Sequence, residues 1–323
     1  MEETARLLVA NFKGILAADE SLPTIQKRFE SVGIANSEEN RRAYRELLFS
    51  TPGVEEYISG VILFKESLPL APILIEKGII PGIKVDEGKV DFPDHSGEFV
   101  TQGIGGLKER LEEYKKYGVK FTKWRAVITI GLEIPSQECI EANVIELCKF
   151  TQISQEAGLI PIVEPEVLME GDHDLTRCED VTRATLTTLF VHLRKYSVNL
   201  RALLLKPNMI LSGKDYAGEK VSPNAIAEAT VATLKRTVPQ EVPGIVFLSG
   251  GQNPEEATIN LNAINLKKDN SPWELSFSFG RALQEPVLKS WAGKVENVII
   301  AQKAFLERAR ANWLARQGKY GNA

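Results

Sequence analysis

Short apolar runs recur along the chain, and turn or polar residues follow each of them. The eight runs are Gly14–Ala18, Gly60–Phe64, Ile79–Val85, Trp124–Ile130, Leu159–Val163, Ala202–Leu205, Ile245–Leu248 and Leu275–Phe279. Several are rich in valine and isoleucine and apolar at successive positions, which is typical of strands buried on both faces. Successive runs begin roughly 37 residues apart, which leaves room for a crossover helix between consecutive parallel strands.

The segments between the runs show helical features. The predicted helices are Ser37–Ser50, a brief one near Pro69–Lys77, Gly103–Tyr117, Glu138–Glu156, Thr176–Tyr196, Ser222 to about Val238, one opening at Asn253, and a long final helix over Lys294–Arg316. Ser222 and Asn253 each precede a proline, which is typical of an N-cap with proline in the first helical turn. The 3.6-residue spacing predicts this buried face of the final helix: Val295, Val298, Ile299, Phe305, Leu306, Ala309 and Trp313.

Strands that alternate with helices predict a parallel sheet, and eight such units predict a closed α/β barrel of the (β/α)8 or TIM type, here with an additional long C-terminal helix. The alternative is an open doubly wound sheet, which needs a glycine-rich turn after its first strand. The first run is instead followed by Asp19-Glu20-Ser21, without a GxGxxG pattern. No linker or repeat divides the chain, so we expect residues 1–323 to form a single barrel domain.

The composition is that of an ordinary globular protein, with 43% hydrophobic and 25% charged residues. The formal net charge of −4 includes no overall basic excess, so we expect no nucleic-acid partner. No apolar run approaches the ~18 residues of a membrane-spanning helix, so we expect no membrane partner either.

The three cysteines predict a reducing compartment. Cys139, Cys148 and Cys178 cannot all pair, and none stands in a CxxC motif. The first ten residues are acidic where a secretory leader is basic. We therefore expect a cytoplasmic location.

The histidines disfavour a zinc site, because the three of them are scattered and form no HxH or HxxxH pair. Asp172-His173-Asp174 contains metal-ligating side chains but has no partner cluster nearby in the sequence. A hydrogen-bonded loop turn is the preferred interpretation of this motif, and we expect no metal.

Lysines and carboxylates stand at the ends of the apolar runs, most of them at the carboxyl ends, which form the active face of a barrel. Lys206 is the most informative, since it closes a run of leucines and precedes Pro207. A buried lysine loses the hydration of its ammonium form, and its neutral amine is a nucleophile suited to a Schiff base. A structural ion pair would explain one such lysine, but Lys84, Lys123, Glu164 and Asp19 also lie at strand ends and favour a functional site.

Glycine-rich turns follow the seventh and eighth runs, where barrels commonly bind phosphate. Ser249-Gly250-Gly251 and Gly280-Arg281 offer backbone N–H groups and a guanidinium to phosphate oxygens. Tight turns alone would explain either motif, but both occur at the expected places. Lys27-Arg28 provides a basic pair for a second anionic group, although an exposed basic pair explains it equally well.

The chain resembles class I fructose-1,6-bisphosphate aldolase from about residue 5 to Tyr320. The matching stretches are Gly14–Ser21, Glu39–Arg42, Gly60–Phe64, Gly82–Asp86, Lys123–Arg125, Val163–Glu166, Leu203–Met209, Leu248–Gln252, Asn260–Asn265 and Gly280–Leu283. The resemblance implies a glycolytic and gluconeogenic lyase that works without a metal or other cofactor. It also implies a homotetramer that acts on a phosphorylated ketose and its triose products.

The resemblance implies a role for each catalytic residue. Lys206 matches the lysine that forms the imine with C2 of the ketose. Asp19 matches the carboxylate that takes the proton of the C4 hydroxyl, Glu164 matches the acid and base of the carbinolamine step, and Lys123 matches the lysine that supports proton transfer.

The same resemblance implies the substrate-binding residues. Those matching the C1-phosphate site are Ser249, Gly250, Gly251, Ser278, Gly280 and Arg281. Those matching the remainder of the substrate site are Ser21, Thr24, Arg28, Lys84 and Arg125.

Two departures from the family pattern concern the substrate. Pro23-Thr24 stands where animal members have glycine and serine, although the hydroxyl is retained. The sequence ends at Gly321-Asn322-Ala323, where animal members continue to a tail with a terminal tyrosine. We therefore leave open fructose 1-phosphate and sedoheptulose 1,7-bisphosphate as alternative substrates. A non-catalytic binding member of the family and a zinc-dependent aldolase are further alternatives.

Overall fold

The apolar runs form a closed parallel barrel. A computed structural model describes residues 1–321 and contains strands β1 (Gly14–Ala18), β2 (Ile58–Leu63), β3 (Ile80–Lys84), β4 (Lys89–Asp91), β5 (Phe99–Thr101), β6 (Phe121–Ile128), β7 (Ile160–Val167), β8 (Leu204–Leu205), β9 (Gly244–Phe247) and β10 (Glu274–Phe279). All except β4 and β5 pair in parallel in chain order, and β10 returns to β1 to close the barrel. The predicted α/β barrel is confirmed.

Helices cover the outside of the barrel and its amino end. They are α1 (Glu2–Leu8), α2 (Leu22–Glu30), α3 (Glu38–Ser50), α4 (Ala71–Glu76), α5 (Leu107–Lys115), α6 (Gln137–Glu156), α7 (Leu175–Lys195), α8 (Pro223–Thr237), α9 (Pro254–Leu266), α10 (Arg281–Trp291) and α11 (Val298–Ala315). Ser222 accepts a hydrogen bond from the backbone N–H of Ala225. Asn253 accepts from the N–H groups of Glu255 and Glu256, as an N-cap does.

The barrel interior is filled by apolar side chains and is therefore a packed core. Phe121 lies across Gly82, where a Cβ atom would come within 2.2 Å of the aromatic ring. Ala5 and Leu8 of α1 belong to the same cluster and are fully buried, so α1 covers the amino end of the barrel. This packing leaves the opposite end, at the carboxyl ends of the strands, for a site.

The final helix differs from the prediction. A short 3₁₀ turn at Val295–Asn297 precedes α11, and the side chains of Val295 and Ile299 are 83% and 81% exposed rather than buried. The buried face of α11 is formed by Ala301, Phe305 and residues further along the helix. The predicted buried face is therefore correct only in the later part of the helix, where α11 packs against the rest of the protein.

Some elements were absent from the prediction. The antiparallel pair β4 and β5 and the helices α1, α2 and α10 gave no long apolar periodicity, because each is short or contains proline. The three cysteines are free and buried. Within residues 1–321, no helix has both the length and the apolar character needed to cross a bilayer.

Candidate active site

A cleft of about 740 Å³ opens at the carboxyl ends of the barrel strands. Every site residue predicted from the sequence lines it: Asp19, Ser21, Thr24, Arg28, Lys84, Lys123, Arg125, Glu164, Lys206, Ser249, Gly250, Gly251, Ser278, Gly280 and Arg281. Barrel closure thus brings into one cavity residues from the first strand to the last.

Four buried charges form a continuous chain at the base of the cleft. The Nζ atom of Lys206 lies 3.1 Å from Oε1 of Glu164, and the Nζ atom of Lys123 lies 2.7 Å from Oε2 of the same carboxylate. Lys123 also donates to Oδ2 of Asp19 at 2.8 Å. None of the four residues is more than 9% exposed, so solvent screens these contacts weakly. Two ammonium groups and two carboxylates therefore alternate.

The alternation decides the charge state of the group. Burial alone would raise the pKa of Asp19, but Lys123 and Lys206 outweigh it and hold this pKa well below its usual range. The pKa of Glu164 is likewise lowered, because Lys123, Lys206 and Arg125 outweigh burial. Burial opposes the charge of Lys123, yet Asp19 and Glu164 raise its pKa well above the usual value. Both carboxylates are therefore ionised at neutral pH.

The strands place these side chains differently from the prediction. Lys123 and Glu164 lie inside β6 and β7, which extend to Ile128 and Val167, rather than at the strand ends. In the barrel register, Lys123 pairs with Lys84 of β3. Lys206 directly follows β8, and its backbone N–H donates to the carbonyl of Val163 at 2.8 Å. Because neighbouring strands are staggered, the side chains of Lys123, Glu164 and Lys206 meet although they stand at different positions along their strands.

A turn built for close backbone approach lies at one side of the cleft. Gly251 has a φ of +79°, and a Cβ atom there would lie 2.6 Å from Cβ of Met169, so only glycine fits. Arg281 donates to the carbonyl of Gln252 at 2.6 Å and is thereby fixed beside this turn. Ser278 is 1% exposed, and its hydroxyl has no hydrogen-bond partner within residues 1–321. These groups form a preorganised set of donors for an anion.

A second polar group lies at the start of α2. The hydroxyls of Ser21 and Thr24 are 3.0 Å apart. Arg28, one to two turns later, lies with its Nη1 atom 2.5 Å from Oε1 of the buried Glu20. Lys84 lies 2.6 Å from Oδ1 of Asp86, so each cation here is held by a carboxylate beneath it.

Arg125, one of the predicted substrate-binding residues, lies in the cleft beside acidic residues that carry no predicted role. It forms an ion pair with Glu166, which raises the pKa of Arg125 above its usual value although burial opposes this. Glu170 pairs with Lys214 at 2.9 Å on the rim. A carboxylate after a strand, as in Glu164-Pro165-Glu166, was a usable signal for Glu166. No sequence pattern around Lys214 indicated a site, because this residue lies in the long loop between β8 and α8.

The Asp172-His173-Asp174 motif forms a loop turn. Asp174 caps α7 by accepting from the backbone N–H of Arg177 at 2.8 Å. The carbonyl of His173 accepts from the N–H of Gly213, and burial lowers the pKa of the His173 ring. Among the 321 described residues, no group of three or more His, Cys, Asp or Glu side chains is arranged to hold a metal ion.

Comparison with known proteins is consistent along the whole chain. The family model described as "Fructose-bisphosphate aldolase class-I" matches residues 1–323. "Fructose-bisphosphate aldolase 5, cytosolic" of Arabidopsis thaliana is 52% identical, over 98% of this chain and 90% of the relative. "Probable fructose-bisphosphate aldolase class 1" of Xanthomonas campestris pv. campestris is 51% identical, over 99% and 98%.

A solved structure has the same architecture. It is the fructose-bisphosphate aldolase of Plasmodium falciparum, described in complex with TRAP and a small-molecule inhibitor. It superposes with a TM-score of 0.97 at 46% identity and covers all of this chain and 95% of its own. The barrel, the buried lysine–carboxylate chain and these matches together place the chain in the class I fructose-bisphosphate aldolase family.

Proposed function

We propose that this chain, acting as one barrel domain over residues 1–323, cleaves fructose 1,6-bisphosphate reversibly through an imine on Lys206. The products are dihydroxyacetone phosphate and glyceraldehyde 3-phosphate. The observation that carries the proposal is the buried Lys206–Glu164 contact of 3.1 Å between two sets of anion-binding groups. A bisphosphate has one phosphate for each set, and its ketone then lies over the buried lysine.

In the first step, Glu164, within hydrogen-bond reach of Nζ, accepts one proton from the Lys206 ammonium group. The neutral amine then attacks C2, and a C–N bond forms as the C–O π bond breaks, while a proton passes from the nitrogen to the former carbonyl oxygen. Glu164 returns its proton to the carbinolamine hydroxyl, which leaves as water. The product is an iminium ion, whose positive charge Glu164 and Asp19 stabilise.

In the second step, Asp19 accepts the proton of the C4 hydroxyl. The C3–C4 bond breaks, its electron pair enters the iminium system, and the aldehyde leaves while an enamine remains on Lys206. Lys123 keeps Asp19 ionised and in place through its 2.8 Å contact. Protonation of C3 and addition of water to the new iminium then release dihydroxyacetone phosphate and regenerate the amine.

The two anion-binding sets bind the two phosphates. Ser249, Gly250, Gly251, Ser278, Gly280 and Arg281 bind the C1 phosphate. Ser21, Thr24, Arg28, Lys84 and Arg125 bind the remainder of the substrate, including the second phosphate. The second set is compatible with sedoheptulose 1,7-bisphosphate, whereas fructose 1-phosphate offers it no phosphate, so a substrate panel distinguishes the three ketoses. The expectation about the terminal tyrosine falls at Asn322 and Ala323, outside the described residues.

The family resemblance also supports a cytoplasmic homotetramer that needs no metal. Two plant relatives carry the word cytosolic in their names. Light scattering on the purified protein tests the assembly, since a tetramer should give a molar mass four times that of one chain.

The test of the function is borohydride trapping in excess chelator. Dihydroxyacetone phosphate and borohydride should leave a stable adduct on Lys206, located by peptide mass spectrometry, and should abolish the cleavage of fructose 1,6-bisphosphate. Loss of cleavage in chelator alone would favour the zinc-dependent alternative. Folded protein with neither adduct nor cleavage would favour the non-catalytic alternative, and an adduct without bisphosphate cleavage would direct attention to the other ketoses.

A further inference from the structure

A second cleft lies at the opposite end of the barrel from the candidate active site. It has a volume of about 700 Å³. Its walls come from the end of α7, the turn before β8, the Val238–Pro243 segment before β9 and Pro272 before β10. Connections that lead into strands meet at the amino ends of the strands, so this cleft shares no residue with the catalytic one.

Three arginines from three separate elements line this cleft. Arg6 belongs to α1, Arg194 to the last turn of α7, and Arg201 to the turn before β8. Among the described residues that line the cleft, Glu241 is the one carboxylate. Within residues 1–321, Arg194 and Arg201 form no ion pair, and Arg6 has only an exposed contact of 3.5 Å with Glu2. In a chain of net charge −4, this is a local positive excess.

The backbone that carries the arginines is held firmly. The side chain of Asn199 accepts from the N–H of Arg201 at 3.0 Å and donates to Glu2 at 3.0 Å, which joins α1 to the turn before β8. Gln155 of α6 donates to the carbonyls of Asn199 and Ala202. The two arginine-bearing elements therefore cannot separate without breaking this network.

The facing wall is rigid as well. Pro239, Pro243 and Pro272 all line it, and each restricts the backbone. The indole N–H of the buried Trp273 donates to the carbonyl of Pro239 at 2.7 Å and ties the wall to β10. A preformed wall lowers the entropic cost of binding a ligand.

We propose that this cleft binds a compact polyanion, a small molecule that carries two or more phosphate groups. Guanidinium groups are weakly hydrated and bind phosphate oxygens bidentately, as they also bind carboxylates, so they suit an anion of several phosphate groups. The helix dipoles favour a basic residue at the ends of α1 and α7, but they do not account for Arg201. Three guanidinium groups around one cavity match a ligand with several phosphates better than a ligand with a single phosphate.

The experiment uses inorganic tripolyphosphate as the probe in isothermal titration calorimetry. The candidate active site is filled beforehand by borohydride trapping of dihydroxyacetone phosphate on Lys206, and excess reagent is removed by dialysis, so that no free phosphate ester competes for the second cleft. Mass spectrometry verifies the adduct before the titration, so a failure of the proposed function is seen separately. The test variant is the double substitution Arg194→Gln and Arg201→Gln. The matched control is Arg183→Gln, which removes an exposed arginine of the same helix α7 that pairs with Asp180 outside the cleft.

We expect the wild type and the control to bind one equivalent of tripolyphosphate, and the double variant to bind at least tenfold more weakly. Binding should weaken as salt is raised. Cleavage of fructose 1,6-bisphosphate by the untrapped proteins should be unchanged in all three, which separates the second cleft from the candidate active site. Absence of binding to the trapped wild type, equal affinity in the double variant, or equal affinity for orthophosphate would overturn the proposal.

Discussion

The Oε1 atom of Glu164 lies 3.1 Å from Nζ of Lys206, while its Oε2 atom lies 2.7 Å from Nζ of Lys123. One buried carboxylate thus contacts both lysines of the site, whereas among residues 1–321 Asp19 forms an ion pair only with Lys123. This asymmetry supports the proposed division of roles, with Glu164 in the imine steps at Lys206 and Asp19 in the bond cleavage, and the two roles can be separated by experiment.

Glu164→Gln should slow imine formation, because the amide cannot accept the lysine proton. The rate at which the borohydride-trapped adduct with dihydroxyacetone phosphate forms should fall by about 10²–10⁴-fold, the usual contribution of a general acid or base.

Asp19→Asn should reduce the rate of single-turnover cleavage by a similar factor of about 10²–10⁴, while the adduct still forms. Equal loss of trapping in both variants would contradict the division of roles.

The same charges predict how stability depends on pH. The pKa values of Asp19 and Glu164 are lowered in the folded protein, so the unfolded chain binds more protons in acid. Their contribution to the free energy of unfolding is therefore complete above about pH 5 and is lost as pH falls through the folded values. Urea unfolding between pH 3 and pH 7 should show this slope, and Asp19→Asn should flatten it.

Lys123 acts in the opposite direction. Its pKa is raised in the folded protein, so its contribution is complete below about pH 10, near the ordinary lysine value, and is lost as pH rises through the folded value. Lys123→Met should remove this alkaline loss. If the variant unfolds at high pH with the wild-type slope, another group is responsible.

Gly251→Ala should weaken substrate binding. The new Cβ would meet Met169 at 2.6 Å in a backbone of φ +79°, so the turn must shift away from the C1 phosphate. We expect KM for fructose 1,6-bisphosphate to rise by about tenfold, with a loss of about 1–3 kcal/mol in stability. Gly158→Ala is the matched control, since Gly158 has a φ of +77° and open space around it. An equal rise of KM in the control would refute the local explanation.

Arg28→Gln should separate ketoses by their second phosphate. Glu20 holds Arg28 in the cleft at 2.5 Å, so its guanidinium is available at a fixed position. Loss of a charged hydrogen bond worth about 1.5–3 kcal/mol should raise KM for fructose 1,6-bisphosphate by roughly 10–100-fold, with KM for fructose 1-phosphate nearly unchanged. Arg42→Gln, at an exposed pair with Glu46 on α3, should alter neither constant. A parallel rise for both substrates would show that Arg28 does not contact the second phosphate.

The local pattern was sufficient for the barrel. Each apolar run has to be buried on both faces, and only a sheet covered by helices provides this for eight runs in succession. Capping residues such as Ser222 and Asn253 act within one turn of helix, so helix starts were also readable from the sequence. The edges of β6 and β7 were not, because polar residues such as Lys123 and Glu166 lie inside these strands.

The chain by itself determined the fold class, the buried lysine and the set of residues around the cleft. Tertiary structure alone decided that Glu164 bridges Lys206 and Lys123, that Met169 leaves room only for glycine at 251, and that Arg6 and Arg201 face one cavity. The periodicity of apolar residues indicates which face of a helix or strand is buried, but not which distant residues that face contacts. These contacts join residues far apart in sequence, and their distances depend on the stagger of strands that appears only when the barrel closes.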